Sequence, residues 1–177
     1  MAVHRGEVAV ILPEGNVRDE EVNGLSRVFE SRDFHLTFAT PSGDDARGNG
    51  GMLVLVDAEV ADLDVEQFDA VVVVGCRDSF PALNTVPVRT FVREALEAGL
   101  VIAGVCEAVR LLAEMGILED AEVAVPKNLQ IDVEQYVGGV CGEPACRSGT
   151  VFTSKGGDVT EEVAEQIVSF LQEQEEA

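Results

Sequence analysis

The residues best suited to chemistry lie in Ile102-Ala103-Gly104-Val105-Cys106-Glu107-Ala108-Val109. An apolar run gives way there to small residues and then to a helically periodic stretch. Gly104-x-Cys106-x-Ala108 has the shape of a nucleophile elbow with cysteine in place of serine. Such a turn lifts its side chain out of a sheet. The helix start that follows is expected to lower the thiol pKa through its dipole and free amides. The competing reading is a buried structural cysteine, the commonest fate of a lone Cys. Gly75-Cys76-Arg77 follows a second apolar run, Val71–Val74. A glycine here would let backbone N–H groups turn toward the neighbouring strand end and form an oxyanion hole beside Cys106, although the same residues also suit a plain turn. Arg77 and Glu107 are the candidate substrate-binding residues. By chain position Arg77 could attract a substrate carboxylate, and Glu107 adds negative charge that should raise the pKa of Cys106.

A thiol nucleophile needs a proton partner, and a carboxylate after the first apolar run could supply one. The candidates are Glu14, Asp19, Glu20 and Glu21. With a helix face centred on Val22, Leu25, Val28 and Phe29, Glu21 points near the apolar stripe and Glu20 points away. A carboxyl at the inner start of this helix would be partly desolvated, so its pKa should rise. A solvated acid favouring the helix dipole is the alternative. Cys76 and Cys106 would sit near matching ends of adjacent strands, within disulfide reach. Cys106 would then be a peroxidatic thiol and Cys76 its resolving partner; two unpaired thiols are the simpler expectation. Cys141 and Cys146 form a C-x4-C pair without the second pair a zinc site needs. A loop disulfide is the alternative, but the compartment expected below is reducing, so they are read as free thiols.

Those residues must be held by elements that the apolar pattern outlines. Five short runs, Val8–Leu12, Phe34–Ala39, Met52–Val56, Ala70–Val74 and Leu100–Val105, read as buried parallel strands. Amphipathic stretches alternate with them: Asp19 to Arg32, Val88 to Ala98, Glu107 to Met115 and Val159 to Leu171. Alternation along the whole length implies a single domain over residues 1–177. Its fold class is α/β, a flavodoxin-like, doubly wound, mainly parallel sheet with helices on both faces. Ligands bind beyond the carboxyl ends of such strands, which selects the loops after Leu12, Val74 and Val105. Segments 41–51 and 138–149 and Gly156-Gly157 read as loops, and Glu173 to Ala177 as a frayed end.

Composition narrows the partners. The 33 acidic and 12 basic residues of the 177-residue chain give a net charge of −21. Nucleic acid and anionic membrane surfaces call for a basic footprint, so neither is expected as a partner. No apolar run approaches the ~20 residues of a membrane helix. Val8 to Leu12 is too short for a secretory core, so a cytoplasmic location is expected. Ten arginines against Lys127 and Lys155 on so acidic a chain read as adaptation to molar salt. Pro13-Glu14-Gly15-Asn16 places an acid where a dinucleotide loop presents amides, so no flavin or nicotinamide cofactor is expected.

The segments Val8-Ala9-Val10-Ile11-Leu12-Pro13-Glu14-Gly15, Asp69-Ala70-Val71-Val72-Val73-Val74-Gly75, Val101-Ile102-Ala103-Gly104-Val105-Cys106, Leu111-Leu112-Ala113-Glu114-Met115-Gly116-Ile117-Leu118 and Val151-Phe152-Thr153-Ser154-Lys155-Gly156 together resemble the ThiJ/PfpI superfamily. The resemblance covers almost the whole chain. It implies a fold of the class I glutamine-amidotransferase type, a reactive cysteine at Cys106, a thiol-bonding glutamate at Glu21 (or Glu20, depending on the loop from Gly15 to Arg18), amides at Gly75 and Cys76, and a homodimer. Intracellular peptidases of the superfamily carry a His directly after the nucleophile, where this chain has Glu107. Its histidines, His4 and His35, are not placed for a Cys-His pair. The second glycine of the family turn is Cys76, whose side chain would narrow an oxyanion pocket. The expected function is therefore a Cys-Glu enzyme acting on small reactive carbonyls or their protein adducts, of glyoxalase III or deglycase type. The alternatives are a redox-sensing, stress-protective protein whose Cys106 is oxidised without turnover, a descendant that keeps only the fold and dimerises, and a disfavoured peptidase or amidase.

Overall fold

The computed structural model describes residues 5–177, so His4 lies outside the described residues. The strands are β1 (Gly6–Ile11), β2 (Phe34–Thr40), β3 (Ala46–Arg47), β4 (Leu53–Val54), β5 (Ala58–Glu59), β6 (Ala70–Val74), β7 (Val101–Val105), β8 (Glu122–Val123), β9 (Gly139–Val140), β10 (Ala145–Ser148) and β11 (Val151–Ser154). The α-helices are α1 (Asp19–Ser31), α2 (Phe80–Leu83), α3 (Val86–Glu97), α4 (Ala108–Glu114), α5 (Gln130–Val133) and α6 (Thr160–Glu176). Seven strands form one sheet in the order β10-β11-β7-β6-β1-β2-β5. Every pairing in it is parallel except β10 with β11. The expected α/β, mainly parallel sheet flanked by helices is the observed one.

The central strands are apolar without alternation because both faces are covered. Val8 and Val10 of β1, Ala70, Val72 and Val74 of β6, and Val101, Ala103 and Val105 of β7 face one core with Val22, Leu25 and Phe29 of α1 and Val163 and Ile167 of α6. Ala9, Ile11, Val71, Val73 and Ile102 face the other, with Phe91 and Val92 of α3 and Leu111 and Leu112 of α4. Successive strand residues point to opposite faces, so one unbroken apolar string feeds two cores. No helix among the described residues is long and apolar enough to cross a membrane.

Three expectations fail. Met52–Val56 is not a strand of the main sheet. Only Leu53–Val54 is extended, paired antiparallel with Ala46–Arg47 in a separate hairpin, and Leu55 is 70% exposed. With Leu53 and Leu55 in solvent, the run is too open to be a buried strand. The loop expected over residues 138–149 contains the whole of β9 and β10. The supposedly frayed end belongs to α6, which runs to Glu176 and is tied back by an ion pair from Arg5 to Glu175.

The carboxyl ends of β6 and β7 meet closely. Val74 pairs with Val105, and the Gly75 amide donates to the Val105 carbonyl at 2.9 Å. Gly75 lies against the first turn of α4: an added Cβ would collide with the Ala108 amide nitrogen and approach the Glu107 carbonyl carbon to 2.9 Å. Backbone cannot yield as a flexible side chain does. Gly75→Ala should therefore destabilise by about 1–3 kcal/mol in urea unfolding, whereas Gly15→Ala, with nothing within 4 Å of its Cβ, should leave stability within about 0.5 kcal/mol. Equal stability of the two variants would contradict this packing.

Candidate functional site around Cys106

Cys106 stands between β7 and α4 with φ 57°, one of four non-glycine residues in the left-handed region among the described residues. That conformation is strained for a residue with a Cβ and persists only where its surroundings impose it. Here the Cys106 amide donates to the Ser154 carbonyl of β11 at 2.9 Å, and its carbonyl accepts from the Val109 amide at 3.2 Å. The turn is thus pinned to the neighbouring strand on one side and to α4 on the other. Cys106 is 6% exposed. The expectation of a lowered pKa is corrected. Burial pushes the thiol up to about 11, and the charge of Glu21 adds to the rise. Arg18 and a hydrogen bond from the Glu107 backbone pull the other way, and the Glu107 side chain adds a smaller upward push. Desolvation outweighs the helix start, which belongs to a seven-residue helix.

Glu21, in the first turn of α1, has no exposure at all. Its Oε1 accepts from the Gly157 amide at 2.7 Å, while its buried Oε2 has no hydrogen-bond partner. Burial raises its pKa to about 7 against the opposing pull of the Gly157 bond and Arg18. The other candidate acids are engaged or outward-facing. Glu14 Oε1 accepts from the Ser42 amide and hydroxyl, the Asp19 carboxylate accepts from the Gly50 and Met52 amides, and Glu20 is exposed. Glu21 and Cys106 meet across a glycine. A Cβ on Gly156 would lie 2.5 Å from Glu21 Oε1 and 2.9 Å from the Cys106 Cβ. Gly156 and Gly157 both have positive φ, 77° and 67°, and their turn after β11 closes the site. Gly156-Gly157 was expected as a loop, but not among the three loops selected for the site. Its signal was the pair of glycines directly after the apolar run Val151–Phe152.

The loop after β6 differs from the expected oxyanion hole. The Gly75 amide is bonded to Val105, and the Cys76 amide donates to the Ser79 hydroxyl at 2.8 Å. Neither of these N–H groups is therefore free for an oxyanion. The Ser79 hydroxyl in turn donates to Glu107 Oε2 at 3.2 Å, which also accepts from the Phe80 amide at 2.9 Å. Glu107, buried at 8% exposure, thus clamps the Gly75–Phe80 loop to the elbow. The Cys76 thiol turns away to the Gly15 carbonyl at 3.6 Å, and Cys76 and Cys106 are both free thiols. The Cys141–Cys146 pair, expected free, is a disulfide; the turn of the β-edge loop brings the two Cα atoms to 6.8 Å. His35 lies on β2, with its Nδ1 2.6 Å from Glu7 Oε2, away from the site.

A cavity of about 130 Å3 opens onto Cys106, lined also by Arg18, Arg77, Glu107, Asn128 and Lys155. A second hollow of about 350 Å3 shares Arg18 and Arg77 with it. Of these residues only Cys106, Arg77 and Glu107 were singled out from the sequence.

The raised pKa of Glu21 has a consequence for stability. Its native value of about 7 lies above the ordinary 4.5, so folding favours the protonated form. The stabilisation is complete below pH 4.5 and is lost as pH rises through 7; the difference corresponds to roughly 3 kcal/mol. Glu21→Gln should remove this dependence, so that the variant gains stability over the parent between about pH 5 and 8 in urea unfolding. Parallel pH profiles for the two proteins would contradict it.

Comparison with known proteins places the fold. A ThiJ/PfpI domain protein from Brachyspira murdochii superposes with a TM-score of 0.90 at 22% identity, covering 97% of this chain and 99% of that one. DJ-1beta from Drosophila melanogaster gives 0.83 at 20% identity, with 94% and 90% covered. Oxidized DJ-1 from Toxoplasma gondii gives 0.83 at 15% identity, with 96% and 92% covered. These likenesses show a shared fold. No curated protein sequence matched the chain. The sequence profile of the DJ-1/PfpI family matches residues 7–170, nearly the full length, and the chain belongs to that family.

Proposed function

We propose that this protein is a cysteine-dependent enzyme acting on small reactive carbonyl compounds or their adducts, with Cys106 as nucleophile and Glu21 as proton carrier. The observation that carries the reading is the buried, half-partnered carboxyl of Glu21 beside a cysteine held in a left-handed elbow. With the thiol near 11 and the carboxyl near 7, the resting site at neutral pH holds the thiol and a partly ionised carboxylate. The nucleophile is made as it is used. Cys106 Sγ bonds to the carbonyl carbon while the thiol proton passes to Glu21, and Glu21 returns a proton to the former carbonyl oxygen, giving a hemithioacetal. With a 2-oxoaldehyde, Glu21 then moves the proton from the sulfur-bearing carbon to its neighbour, while the hydroxyl proton on the first carbon passes to the oxygen of the second. The result is a 2-hydroxy thioester, which water cleaves to a 2-hydroxy acid and the free thiol.

Peroxide sensing by Cys106 ranks below this reading, because a thiol near 11 offers little thiolate to a diffusing oxidant. A peptidase ranks lower still, because Glu107 occupies the position after the nucleophile and is engaged by Ser79 and Phe80.

Consumption of methylglyoxal should disappear in Cys106→Ser. In Glu21→Gln, kcat/KM should fall by on the order of 10²–10⁴-fold, the usual worth of a positioned base. In the parent protein kcat/KM should rise with pH through about 7 as Glu21 ionises, and Glu21→Gln should lack that limb. Unchanged turnover in Cys106→Ser would overturn the proposal. We also read the net charge of −21 as an adaptation to concentrated salt. The thermal midpoint should then climb steeply from ~0.1 M to ~3 M KCl as self-repulsion is screened; a flat response would contradict it.

A further inference from the structure

The charge around the Cys106 cavity runs against that of the whole molecule. The chain has only 12 basic residues against 33 acidic ones, yet Arg18, Arg77 and Lys155 all line this one cavity of about 130 Å3. Of the eight arginines outside it, four are paired with carboxylates: Arg5 with Glu175, Arg27 with Glu161, Arg32 with Glu165 and Arg110 with Glu114. Among the described residues, none of the three cavity cations makes an ion pair. Lys155 Nζ has only a long bond to the Gly142 carbonyl, 3.4 Å. The one carboxylate lining the cavity, Glu107, already accepts from Ser79 and Phe80. Glu21 is near enough for Arg18 to lower its pKa, but it is not among the residues lining the cavity. Three cations against the single carboxylate of Glu107 leave the cavity with an excess of positive charge, which a bound anion would balance.

The shape of the cleft says where the anion would sit. Arg18 and Arg77 line both the Cys106 cavity and the adjoining hollow of about 350 Å3, whose remaining lining includes Asn16, Asn49 and the carboxylate Asp78. The two guanidinium groups therefore stand where the inner cavity meets the outer hollow. A planar guanidinium is suited to bidentate recognition of a carboxylate. We propose that the substrate of this site is an anionic carbonyl compound: a 2-oxoaldehyde that carries its own carboxylate, held by Arg18 and Arg77 with Lys155 beside it, so that its aldehyde carbon reaches Cys106. This deepens the proposed carbonyl chemistry and rests on it for the reaction. The anion preference itself rests on the three cations alone. A chain of such negative charge repels anions at long range, but the repulsion fades beyond the ~10 Å Debye length at 0.1 M salt, whereas the cavity cations act at contact.

Two measurements keep the deeper claim separate from the broader one. The first needs no turnover. Iodoacetate and iodoacetamide alkylate a thiol by the same displacement: sulfur bonds to the methylene carbon as iodide leaves and the thiol proton is released. They differ in one negative charge, and their rate ratio cancels the thiolate fraction that they share. The iodoacetate-to-iodoacetamide ratio at Cys106, read by peptide mapping, should exceed that of glutathione by about tenfold or more. It should fall back toward the glutathione value in Arg77→Gln/Lys155→Gln. A Cys106 ratio equal to or below that of glutathione, or one indifferent to the double substitution, overturns the anion site.

The second measurement compares γ,δ-dioxovalerate, which would yield 2-hydroxyglutarate, with methylglyoxal, which would yield lactate. In the intact protein kcat/KM should favour the carboxylate-bearing substrate by about tenfold, and that preference should shrink in the double variant. Cys106-dependent methylglyoxal turnover without that preference overturns the substrate class and leaves the carbonyl reading standing. No turnover of either compound, alongside a raised alkylation ratio, overturns the carbonyl reading and supports the anion site.

Discussion

A carboxyl group with no solvent exposure and one oxygen without a partner is costly to keep charged, and the site is organised around that constraint. Glu21 reaches its position because α1 turns its first-turn inner face toward the strand ends, where the same stripe places Val22 and Leu25 in the core. The Gly157 amide holds one oxygen. The other is left without a bond. Its neighbourhood includes Cys106, whose thiol is pushed up by the same dryness and by the Glu21 charge. Each group resists ionisation beside the other, so a proton passed between them has small net effect on the buried charge. That is the physical basis for treating the two as a pair.

The surrounding backbone exists to hold that pair in place. β7 must end in a left-handed residue, and β11 supplies the carbonyl that fixes it. Gly156 leaves the gap through which acid and thiol approach, and a Cβ there would strike both. On the opposite side, Glu107 ties Ser79 and Phe80 to the elbow and so fixes the loop that carries Arg77. A glutamate after the nucleophile is thus a clamp on the loop. The amides of Gly75 and Cys76 are engaged in the same scaffold, which leaves stabilisation of an oxyanion to other groups, with the cavity cations the nearest charges.

The sheet was legible because its central strands need no partner information. Unbroken runs such as Ala70–Val74 are dictated by burial on both faces, and the helices by a single apolar stripe. The elbow and the inward direction of Glu21 were legible for the same local reasons, while the register of the loop from Gly15 to Arg18 left Glu20 open as the alternative. What escaped depends on distant chain. Met52–Val56 is apolar but has no neighbour in the main sheet. Free amides at Gly75 and Cys76 could not be judged without knowing that Val105 and Ser79 lie opposite. The thiol pKa was misjudged because a helix start is visible in sequence whereas dryness is not. Arg18, Lys155 and the Gly156-Gly157 turn come from segments more than a hundred residues apart that only the strand order brings together.

The pairing of acid and thiol is tested most directly by titrating the thiolate absorbance of Cys106, isolated as the difference between the parent protein and Cys106→Ser, with and without Glu21→Gln. The account predicts a midpoint near 11 in the parent and a distinctly lower one once the Glu21 charge is gone. A midpoint at the ordinary value of 9, or one that Glu21→Gln leaves unmoved, would contradict it.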